Sequence, residues 1–531
     1  MEKKYLVILE VSQKQAFIFS SNKLKDNVAN SAVIAWVTDS DFFQEVIGDA
    51  SIYKEENNLV YAGGGHTILV FDSKDQAKEF VWRVTLQIHK DYPNLEMFAK
   101  LLECEQEIGG EDLKRLSQEL EKKKSRRGAS FHQRTFGIEE RNFKEKSEKE
   151  KPEKEKKLDR EWMPEGFKAP LTLEQLGGDK NKSNFIAVVH IDGNSMGKRV
   201  ENLRKSLEGK SWEEYRKAFY CFSCSIDEQF KAAYKEMTEE VAERLRKGKL
   251  KLNLVKDSSE YYFPIRRVIT AGDDICFIAE GRIGLECARI FIEKLAKKRN
   301  MQDKQSYAAC AGVAIVHQKY PFYRAYELAE ELCSNAKRFI ASTYAELHPV
   351  SEDGSKKEEI DSAEICANVC AIDWHIEYGE MKDGLEEIRQ MYQTIEKEEE
   401  PQRLELRPYI LSDPKGLLEK EEIRRYSKFK KLMQQMQTGD INYARGKLKE
   451  FRQYLKEGET AAAHYMKTKQ MNDMELLGYQ DIFTEIDYSK VKIGSGSHLE
   501  RKTFIQTADK KKRCLYFDAI ELLDTFLAIE E

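Results

Sequence analysis

The sequence lacks a long hydrophobic run, and none of its apolar stretches approaches the roughly 18 residues that suggest a membrane span. We therefore expect no contact with a membrane. The apolar run at the N-terminus ends at Glu10, which is too early for a secretory signal peptide. With 531 residues, 41% hydrophobic and 34% charged, the chain is expected to be a cytoplasmic protein with roughly three or four domains.

The sequence is also poor in paired metal-binding cysteines. Its ten cysteines are scattered, and Cys221 and Cys224 form the single CxxC pair. Structural zinc usually takes four ligands, and this pair lies within a helical pattern without a second pair to complete the set. We therefore predict that both cysteines pack in a core and that no structural zinc is present. The net charge of −5 argues against a protein that binds nucleic acid over its whole surface.

What the sequence does contain is two apolar runs that each end in acidic residues. The first, FIAVVHIDGNSMG at 185–197, reaches Asp192, and the second, RVITAGDDICFIA at 267–279, places Asp273 and Asp274 at the turn of a predicted hairpin. Three carboxylates at the ends of adjacent strands could hold two Mg²⁺ or Mn²⁺ ions for an in-line displacement at phosphorus. The alternative is that the hairpin aspartates only form a turn, as Gly and Asp commonly do.

The segments around these runs predict how the strands are connected. Helical patterns are found at 212–247, 286–298 and 323–342, and a small-residue strand at 308–316. The resulting order of strand, helix, hairpin, helix, strand and helix is typical of a ferredoxin-like palm, in which right-handed crossovers bring non-adjacent strands together.

These motifs resemble a known family. The HIDGNSMG and AGDD segments, with 312–321, are similar to the second palm of the large signature subunit of type III CRISPR effector complexes (the Cas-ten family). Segments 8–19 and 61–66 resemble the first palm, whose hairpin keeps glycines and has lost metal ligands. Segments 373–375 and 407–409 resemble parts that follow the second palm, whereas roughly 110–175 lies outside the resemblance.

The resemblance implies an α+β protein with two ferredoxin-like palm domains of the nucleotide cyclase and polymerase kind and a C-terminal helical domain. We predict a degenerate first palm at 1–108, a charged linker or insert at 109–174, the second palm at 175–350 and a mainly helical domain at 351–531. Amphipathic stretches at 424–436, 443–455 and 516–528 support the last domain. The core of the insert, 141–157, mixes both signs of charge around Phe143, which predicts a mobile segment or solvated helix, with nucleic-acid binding as the alternative.

Two departures from the family pattern affect the expected chemistry. The family motif is usually GGDD, and Ala271 replaces its first glycine; this is costly only if the position needs a positive φ. Many relatives also carry an N-terminal HD nuclease domain, whereas this sequence contains no His-Asp dipeptide. We therefore expect a variant without that domain and without the DNA cleavage it performs.

The candidate site residues follow from the residue types and from the resemblance. Asp192, Asp273 and Asp274 are the predicted catalytic metal ligands, with the carbonyl of Ile191 as a further ligand. The turn before the next helix predicts phosphate binding by backbone amides; its residues are Gly193, Asn194, Ser195, Met196 and Gly197. The hairpin glycine Gly272 is a further predicted nucleotide contact.

Three other side chains near these strands have two interpretations each. In related palms a lysine at the position of Lys337 reaches the triphosphate, and a solvated helix face is the alternative; Lys198 is a weaker candidate for the same role. Strand alternation places His190 on the same face as Asp192, either as a group for proton transfer or as a packed core histidine. In the first palm, the resemblance suggests four contacts to an acceptor nucleotide: Ser31, Gly63, Gly64 and Gly65.

The activity implied by the resemblance is template-independent nucleotidyl transfer. ATP would be joined 3′ to 5′ into cyclic oligoadenylates, an antiviral second messenger, within a complex that contains guide RNA, target RNA and other type III subunits. Three alternatives remain open: a stand-alone nucleotide cyclase or oligonucleotide synthase, an inactive scaffold of a ribonucleoprotein, and a diguanylate synthase with the same palm. The retained aspartates argue against the scaffold, and the length of the resemblance argues against the diguanylate synthase.

Overall fold

The computed structural model describes residues 3–104, 108–126, 153–178, 184–348, 362–377, 384–395, 401–438, 445–471, 479 and 503–530. Most of the predicted mobile core of the charged insert therefore lies outside the described residues. The described chain combines several sheets with long helices, which confirms the predicted α+β fold class. Among the described helices, none has the length and apolar composition needed to cross a membrane.

The first palm is a four-stranded antiparallel sheet in the order β2-β3-β1-β4. Its strands are β1 (Lys4–Val11), β2 (Leu59–Gly63), β3 (His66–Phe71) and β4 (Met97–Cys104). Its helices are α1 (Lys14–Ile18), α2 (Leu24–Val37), α3 (Ser40–Ile47), α4 (Glu55–Asn58), α5 (Lys74–Asp91) and α6 (Gly110–Ser125).

Alternation of apolar residues along β1 explains why helices cover both faces of this sheet. Ile8 belongs to the same core cluster as Leu116 of α6, whereas Val7 belongs to the cluster that contains Phe80 of α5. Because successive side chains of a strand point to opposite faces, an apolar run without polar interruptions needs two covering layers. The resulting β-α-β-β-α-β arrangement is ferredoxin-like.

A short segment connects the two palms in the described chain. It contains α7 (Glu153–Trp162) and β5 (Phe167–Lys168), which pairs with β8 in a small sheet of order β5-β8-β7. The other two strands are β7 (Lys256–Asp257) and β8 (Glu260–Tyr262). Asp159 of α7 contacts Arg266 at 2.7 Å and Arg267 at 2.9 Å, so the end of the charged insert is fixed to the strand that leads into the acidic hairpin.

The second palm is a six-stranded sheet in the order β15-β12-β11-β6-β10-β9. Its strands are β6 (Phe185–Gly193), β9 (Ile265–Ala271), β10 (Asp274–Glu280), β11 (Ala309–His317), β12 (Cys370–Glu377) and β15 (Tyr409–Ser412). Its helices are α8 (Met196–Ser206), α9 (Trp212–Arg246), α10 (Gly284–Ala296) and α11 (Phe322–Leu347). The predicted order of strands and helices is confirmed.

Strand β12 extends this sheet beyond residue 350, the predicted boundary of the second palm. It runs parallel to β11, and β15 then pairs with it antiparallel. Every residue of β12 is buried. A strand covered on both faces and along both edges belongs to the interior of the palm, so the palm sheet includes strands that lie beyond residue 350 in the sequence.

The remaining C-terminal elements are short helices and a small sheet in the order β13-β14-β17-β16. The helices are α12 (Ser362–Cys366), α13 (Leu385–Gln393), α14 (Tyr426–Thr438), α15 (Arg445–Leu455), α16 (Glu459–Thr468) and α17 (Phe517–Glu521). The strands are β13 (Thr394–Ile395), β14 (Gln402–Arg403), β16 (Phe504–Gln506) and β17 (Lys512–Cys514).

The predicted helix at 516–528 is wrong beyond Glu521, where α17 ends. The following chain leaves the helix to pack beside α10. The amide of Leu527 donates to the Arg282 carbonyl at 2.8 Å, and the amide of Ile529 donates to the buried Glu286 carboxylate at 3.0 Å. These tertiary partners satisfy backbone groups that a continued helix would have paired internally.

Candidate active site between the two palm domains

The acidic centre is formed by two neighbouring strands. Asp192, near the end of β6, lies directly opposite Asp274, the first residue of β10. Asp273 belongs to the two-residue turn between β9 and β10, in which Gly272 has a φ of 64°. Ala271 is the last residue of β9 and is not among the residues with positive φ, so its replacement of a glycine is accommodated.

Gly193 allows Asp273 to approach the end of β6. A Cβ atom at Gly193 would lie 2.9 Å from the Asp273 Cβ and 3.1 Å from its Oδ2. The Gly193 amide also donates to the Asp273 carbonyl at 3.2 Å. The glycine is thus needed for close packing of the turn against the strand, which fixes the position of the Asp273 carboxylate.

Lys337 is part of this acidic centre. It lies on α11, and its Nζ donates to Asp192 Oδ2 at 2.7 Å and to the Gly193 carbonyl at 3.0 Å. Burial opposes its charge, but the Asp192 carboxylate outweighs this and the pKa of Lys337 is raised. The alternative of a solvated helix face is wrong, whereas contact with a triphosphate stays a prediction.

The negative charges of the two hairpin aspartates are poorly compensated by nearby groups. Partial burial, followed by the charge of Asp192, raises the pKa values of Asp273 and Asp274 to about 7. Asp274 Oδ1 has no hydrogen-bond partner. A cluster of carboxylates in which protonation is favoured in this way is also stabilised by a divalent cation.

The donor set fits Mg²⁺ or Mn²⁺, because both prefer carboxylate oxygens. Asp192, Asp273 and Asp274 would hold the ions. Within the described part of the chain, no three acidic, histidine or cysteine side chains already converge as a metal site, and Lys337 contacts one oxygen of Asp192. Ile191 pairs with strands on both sides in the middle of the sheet, and its carbonyl as a ligand stays a prediction.

Asn194 is held by protein groups. Its side chain donates to the carbonyls of Cys366 at 3.0 Å and Val369 at 2.9 Å, and it is 2% exposed. Its backbone amide donates to the Ala308 carbonyl at 2.8 Å. Both the side chain and the amide are thus directed at the protein, so the geometry does not support the predicted contact between Asn194 and a nucleotide.

The rest of the turn leads directly into a helix, and its predicted phosphate contact stays a prediction. Ser195 has a φ of 59° and precedes α8, whose first intrahelical bond runs from the Arg199 amide to the Ser195 carbonyl. The amides of Met196 and Gly197 come before this bond, where helix N–H groups have no intrahelical acceptor. Lys198 lies 3.8 Å from Glu201 on its own helix.

His190 is a packed histidine beside the acidic centre. It is 5% exposed, its ring meets Tyr326 edge to face at 5.5 Å, and its Nδ1 is 3.5 Å from Asp274 Oδ1. Burial lowers its pKa, so the ring is neutral near neutral pH. Of the two interpretations, the structure favours the core histidine.

A cavity of about 860 Å³ opens between the two palms on one side of the acidic hairpin. Its wall includes the hairpin residues Gly272, Asp273 and Asp274. The four predicted first-palm contacts also line it: Ser31, Gly63, Gly64 and Gly65. The structure therefore brings both hairpins to one cavity, whereas Asp192 and Lys337 lie outside its lining.

Helix α9 of the second palm holds the first-palm hairpin in place. Ser223 donates to the Ala62 carbonyl at 3.0 Å, and Arg216 donates to the Leu59 carbonyl at 3.2 Å. Cys221 and Cys224 lie on the same helix and are partly buried. Burial raises the pKa of the Cys224 thiol, which favours the protonated form over the thiolate that binds metals.

The first palm contains an equivalent of the acidic centre that the sequence analysis missed. Glu10 lies opposite His66 across β1 and β3, as Asp192 lies opposite Asp274 across β6 and β10. The two sheets have the same strand order at these positions. Glu10 thus occupies the position of the first aspartate, and a histidine replaces the second.

The lysine of the acidic centre also has an equivalent. Lys124 on α6 contacts Glu10 at 2.6 Å, as Lys337 on α11 contacts Asp192 at 2.7 Å. Burial lowers the pKa of His66 to about 4, so its ring is neutral near pH 7. The first palm therefore keeps the carboxylate and lysine pair but has no acidic hairpin.

Comparison with protein families supports the palm assignment. Residues 185–341 match the family model described as Cas10/Cmr2, second palm domain. This confirms the resemblance predicted from the motifs: the chain contains a palm domain of the Cas10-like type III signature subunit. Comparison with curated proteins gave no match.

Comparison with solved structures gives matches to Csm1 chains. A Csm1–Csm4 cassette in complex with cA3 matches with a TM-score of 0.51 and 13% identity, over 99% of this chain and 70% of that chain. An apo Csm1–Csm4 cassette matches with a TM-score of 0.43 and 16% identity, over 64% of this chain and 53% of that chain. Csm1 from T. onnurineus matches with a TM-score of 0.41 and 14% identity, over 63% of this chain and 52% of that chain. The matches to the latter two span about half the length of those chains, and at these identities the likeness concerns the fold.

Proposed function

We propose that this protein is a metal-dependent nucleotidyltransferase that joins ATP 3′ to 5′ into cyclic oligoadenylates, which serve as an antiviral second messenger. One observation carries the proposal: Asp192 and Asp274 face each other on adjacent strands, with Asp273 in the turn, beside a cavity that both palms line. The Cas10/Cmr2 family match supports it, and so does the fold shared with a Csm1–Csm4 cassette in complex with cA3.

The acidic centre supplies the electrostatic part of the reaction. Mg²⁺ or Mn²⁺ held by Asp192, Asp273 and Asp274 would stabilise the charge on the attacking and leaving oxygens of an in-line displacement. Lys337, on the Asp192 side of the centre, adds a positive charge near the phosphates. The amides of Met196 and Gly197 would bind a phosphate oxygen at the start of α8.

The chain's second contribution is to position two nucleotides. The 3′-hydroxyl oxygen of one forms a bond to the α-phosphorus of the other, the bond from that phosphorus to pyrophosphate breaks, and the hydroxyl proton leaves to solvent. The first-palm residues Ser31, Gly63, Gly64 and Gly65 would hold the acceptor in the cavity. Tyr323 lines the same cavity and is 37% exposed, which suits stacking against a base.

The partners are proposed on the basis of the resemblance. Guide RNA and target RNA would control the activity within a type III effector complex, and the related Csm1 structures contain Csm4 as a partner. A nucleotide cyclase or oligonucleotide synthase outside a CRISPR complex uses the same site and is the second candidate. An inactive scaffold is the third, and the retained aspartates argue against it.

The test is a product analysis with labelled nucleotides. Purified protein is incubated with ATP or GTP and Mg²⁺ or Mn²⁺, with and without guide and target RNA, and the products are identified by mass spectrometry. We expect cyclic oligoadenylates and pyrophosphate from the wild type and neither from the variant with Asp273→Ala and Asp274→Ala. Equal product from the double variant would refute the assignment, and activity independent of RNA would favour the stand-alone enzyme.

A further inference from the structure

The cations that line the cavity differ in how their charges are compensated. Three of them have carboxylate partners: Lys124 with Glu10 at 2.6 Å, Lys231 with Asp227 at 2.6 Å, and Arg267 with Asp159 at 2.9 Å. The fourth is Lys14 of the first palm. Among the described residues, no carboxylate lies within 4.0 Å of the Lys14 Nζ.

Lys14 is held in place by the end of β1 and by the first-palm hairpin. Gln13, directly before it, has a φ of 49°, so the chain turns sharply between β1 and α1. The Lys14 ammonium donates a hydrogen bond to the Gly64 carbonyl. A Cβ atom at Gly65 would lie 3.0 Å from Lys14 Cε and 2.9 Å from Ile34 Cγ2, so a glycine at this position makes room for the lysine stem.

This arrangement leaves a partly buried ammonium with one neutral partner. Burial lowers the pKa of Lys14, while the more distant charges of Glu10 and Asp274 oppose this effect. A cation that has lost water and gained a single carbonyl is stabilised when an anion enters its surroundings. The cavity in front of Lys14 has room for such an anion.

The two sides of the cavity differ in their charged groups. The second-palm side of the cavity carries Asp273 and Asp274, which need a cation before they can accept a phosphate nearby. On the first-palm side, Lys124 neutralises Glu10 and His66 is neutral. The first palm also contributes Asp39 to the lining, so what distinguishes its side of the cavity is the Lys14 ammonium, which has no carboxylate within 4.0 Å among the described residues.

We propose that Lys14 binds a phosphate group of a nucleotide in the cavity between the palms, and that this first-palm subsite needs no divalent ion. The inference rests on the proposed function, in which the first palm holds the acceptor nucleotide. It adds the residue that recognises the phosphate and a difference between the subsites: the second palm requires metal, and the first uses the charge of the protein itself.

The test measures binding of a non-hydrolysable ATP analogue to the full chain by calorimetry, in EDTA and in Mg²⁺. Lys14→Met removes the ammonium and keeps the stem, and Lys14→Arg keeps the positive charge. Lys231→Met is the matched control, because Lys231 lines the same cavity but is paired with Asp227. Mn²⁺ binding, followed by electron paramagnetic resonance, reports separately on the second palm.

In EDTA we expect the wild type to bind the analogue, and Lys14→Met to bind it at least about tenfold more weakly, a change of about 1.4 kcal/mol. The affinity of Lys14→Arg and of Lys231→Met for the analogue should stay within about threefold of the wild-type value. Lys14→Arg keeps a positive charge at position 14, and Lys231→Met leaves Lys14 unchanged. Mn²⁺ binding should be unchanged in all variants, because none of the substitutions alters the second-palm aspartates.

Three outcomes would overturn the inference. The first is that Lys14→Met binds the analogue as tightly as the wild type. The second is that the wild type binds it only in Mg²⁺. The third is that Lys14→Met also loses Mn²⁺ binding, since Lys14 would then be a structural tether for the hairpin. In each case ATP polymerisation by the wild type would leave the proposed function standing, whereas a wild type that binds no nucleotide in either condition would refute both.

Discussion

Replacing both hairpin aspartates by asparagine should stabilise the metal-free protein. The pKa values of Asp273 and Asp274 are raised to about 7, so ionising them in the folded state costs free energy. Asparagine keeps the shape of each side chain and removes the charge. We therefore expect the variant with Asp273→Asn and Asp274→Asn to be more stable than the wild type at about pH 8 in EDTA.

The magnitude follows from the pKa change and the exposure of the site. A rise from 3.8 to about 7 corresponds to about 4 kcal/mol for a fully desolvated carboxylate. However, 40% of the Asp274 side chain is exposed, and water screens much of this cost. We expect a combined gain in the free energy of unfolding of about 1–2 kcal/mol for the double variant.

The sign of the pH dependence is opposite to that of a salt-bridged carboxylate. At these two aspartates the folded state binds more protons than the unfolded state between pH 3.8 and about 7, so their unfavourable contribution to the stability of the wild type shrinks as the pH falls through this range. The advantage of the double variant should thus be complete above about pH 7 and disappear toward about pH 4.

Urea denaturation in EDTA at about pH 8 and about pH 5 measures this difference. Adding Mn²⁺ at the higher pH should stabilise the wild type and leave the double variant unchanged, because only the wild type binds the ion. Asp72→Asn is the control, since Asp72 is an exposed aspartate next to β3. A double variant less stable than the wild type at about pH 8, or equal stabilisation of both by Mn²⁺, would refute the reasoning.

Three further substitutions test single contacts. Asp192→Asn removes the carboxylate partner of Lys337 and should reduce ATP polymerisation to background in a product assay; wild-type turnover would contradict its assignment as a ligand. Gly193→Ala places a Cβ 2.9 Å from the Asp273 Cβ and should weaken Mn²⁺ binding about tenfold by displacing that carboxylate; unchanged Mn²⁺ affinity would show that the turn adapts. Asp159→Asn removes the carboxylate charge that contacts two buried arginines and should lower the free energy of unfolding by about 3 kcal/mol in urea, whereas a change within about 0.5 kcal/mol would mean that α7 contributes little.

The acidic centre was predictable because its geometry depends on local patterns. Apolar runs that end at Asp192 and at the AGDD turn identify the strand ends, and the order of elements makes β6 and β10 neighbours. The helices at 212–247 and 323–342 follow from their apolar periodicity and are observed as Trp212–Arg246 and Phe322–Leu347. Elements whose pattern depends on a few neighbouring residues can therefore be predicted from the sequence.

Features that depend on distant parts of the chain were not predictable. Asn194 looks like a turn residue for phosphate binding, but Cys366 and Val369, far along the chain, take its side-chain amide. Strand β12 is a short segment in which polar and apolar residues alternate, in a region dominated by helical patterns, and only its pairing with β11 makes it a palm strand. Nothing in the local sequence specifies either partner.

The equivalent centre of the first palm was missed for a similar reason. Its hairpin has no carboxylate, and the sequence alone shows Glu10 only as the charged end of an apolar run. The pairing of Glu10 with His66 and its contact with Lys124 become visible only when β1, β3 and α6 are assembled. A signal was present, since Glu10 ends an apolar run as Asp192 does.

The asymmetry between the two palms is tested most directly by locating the metal. Crystals grown with a non-hydrolysable ATP analogue and Mn²⁺ allow the ions to be placed by anomalous scattering. We expect Mn²⁺ at Asp192, Asp273 and Asp274 and a nucleotide phosphate near Lys14. Mn²⁺ at the first-palm hairpin with none at the three aspartates would contradict it.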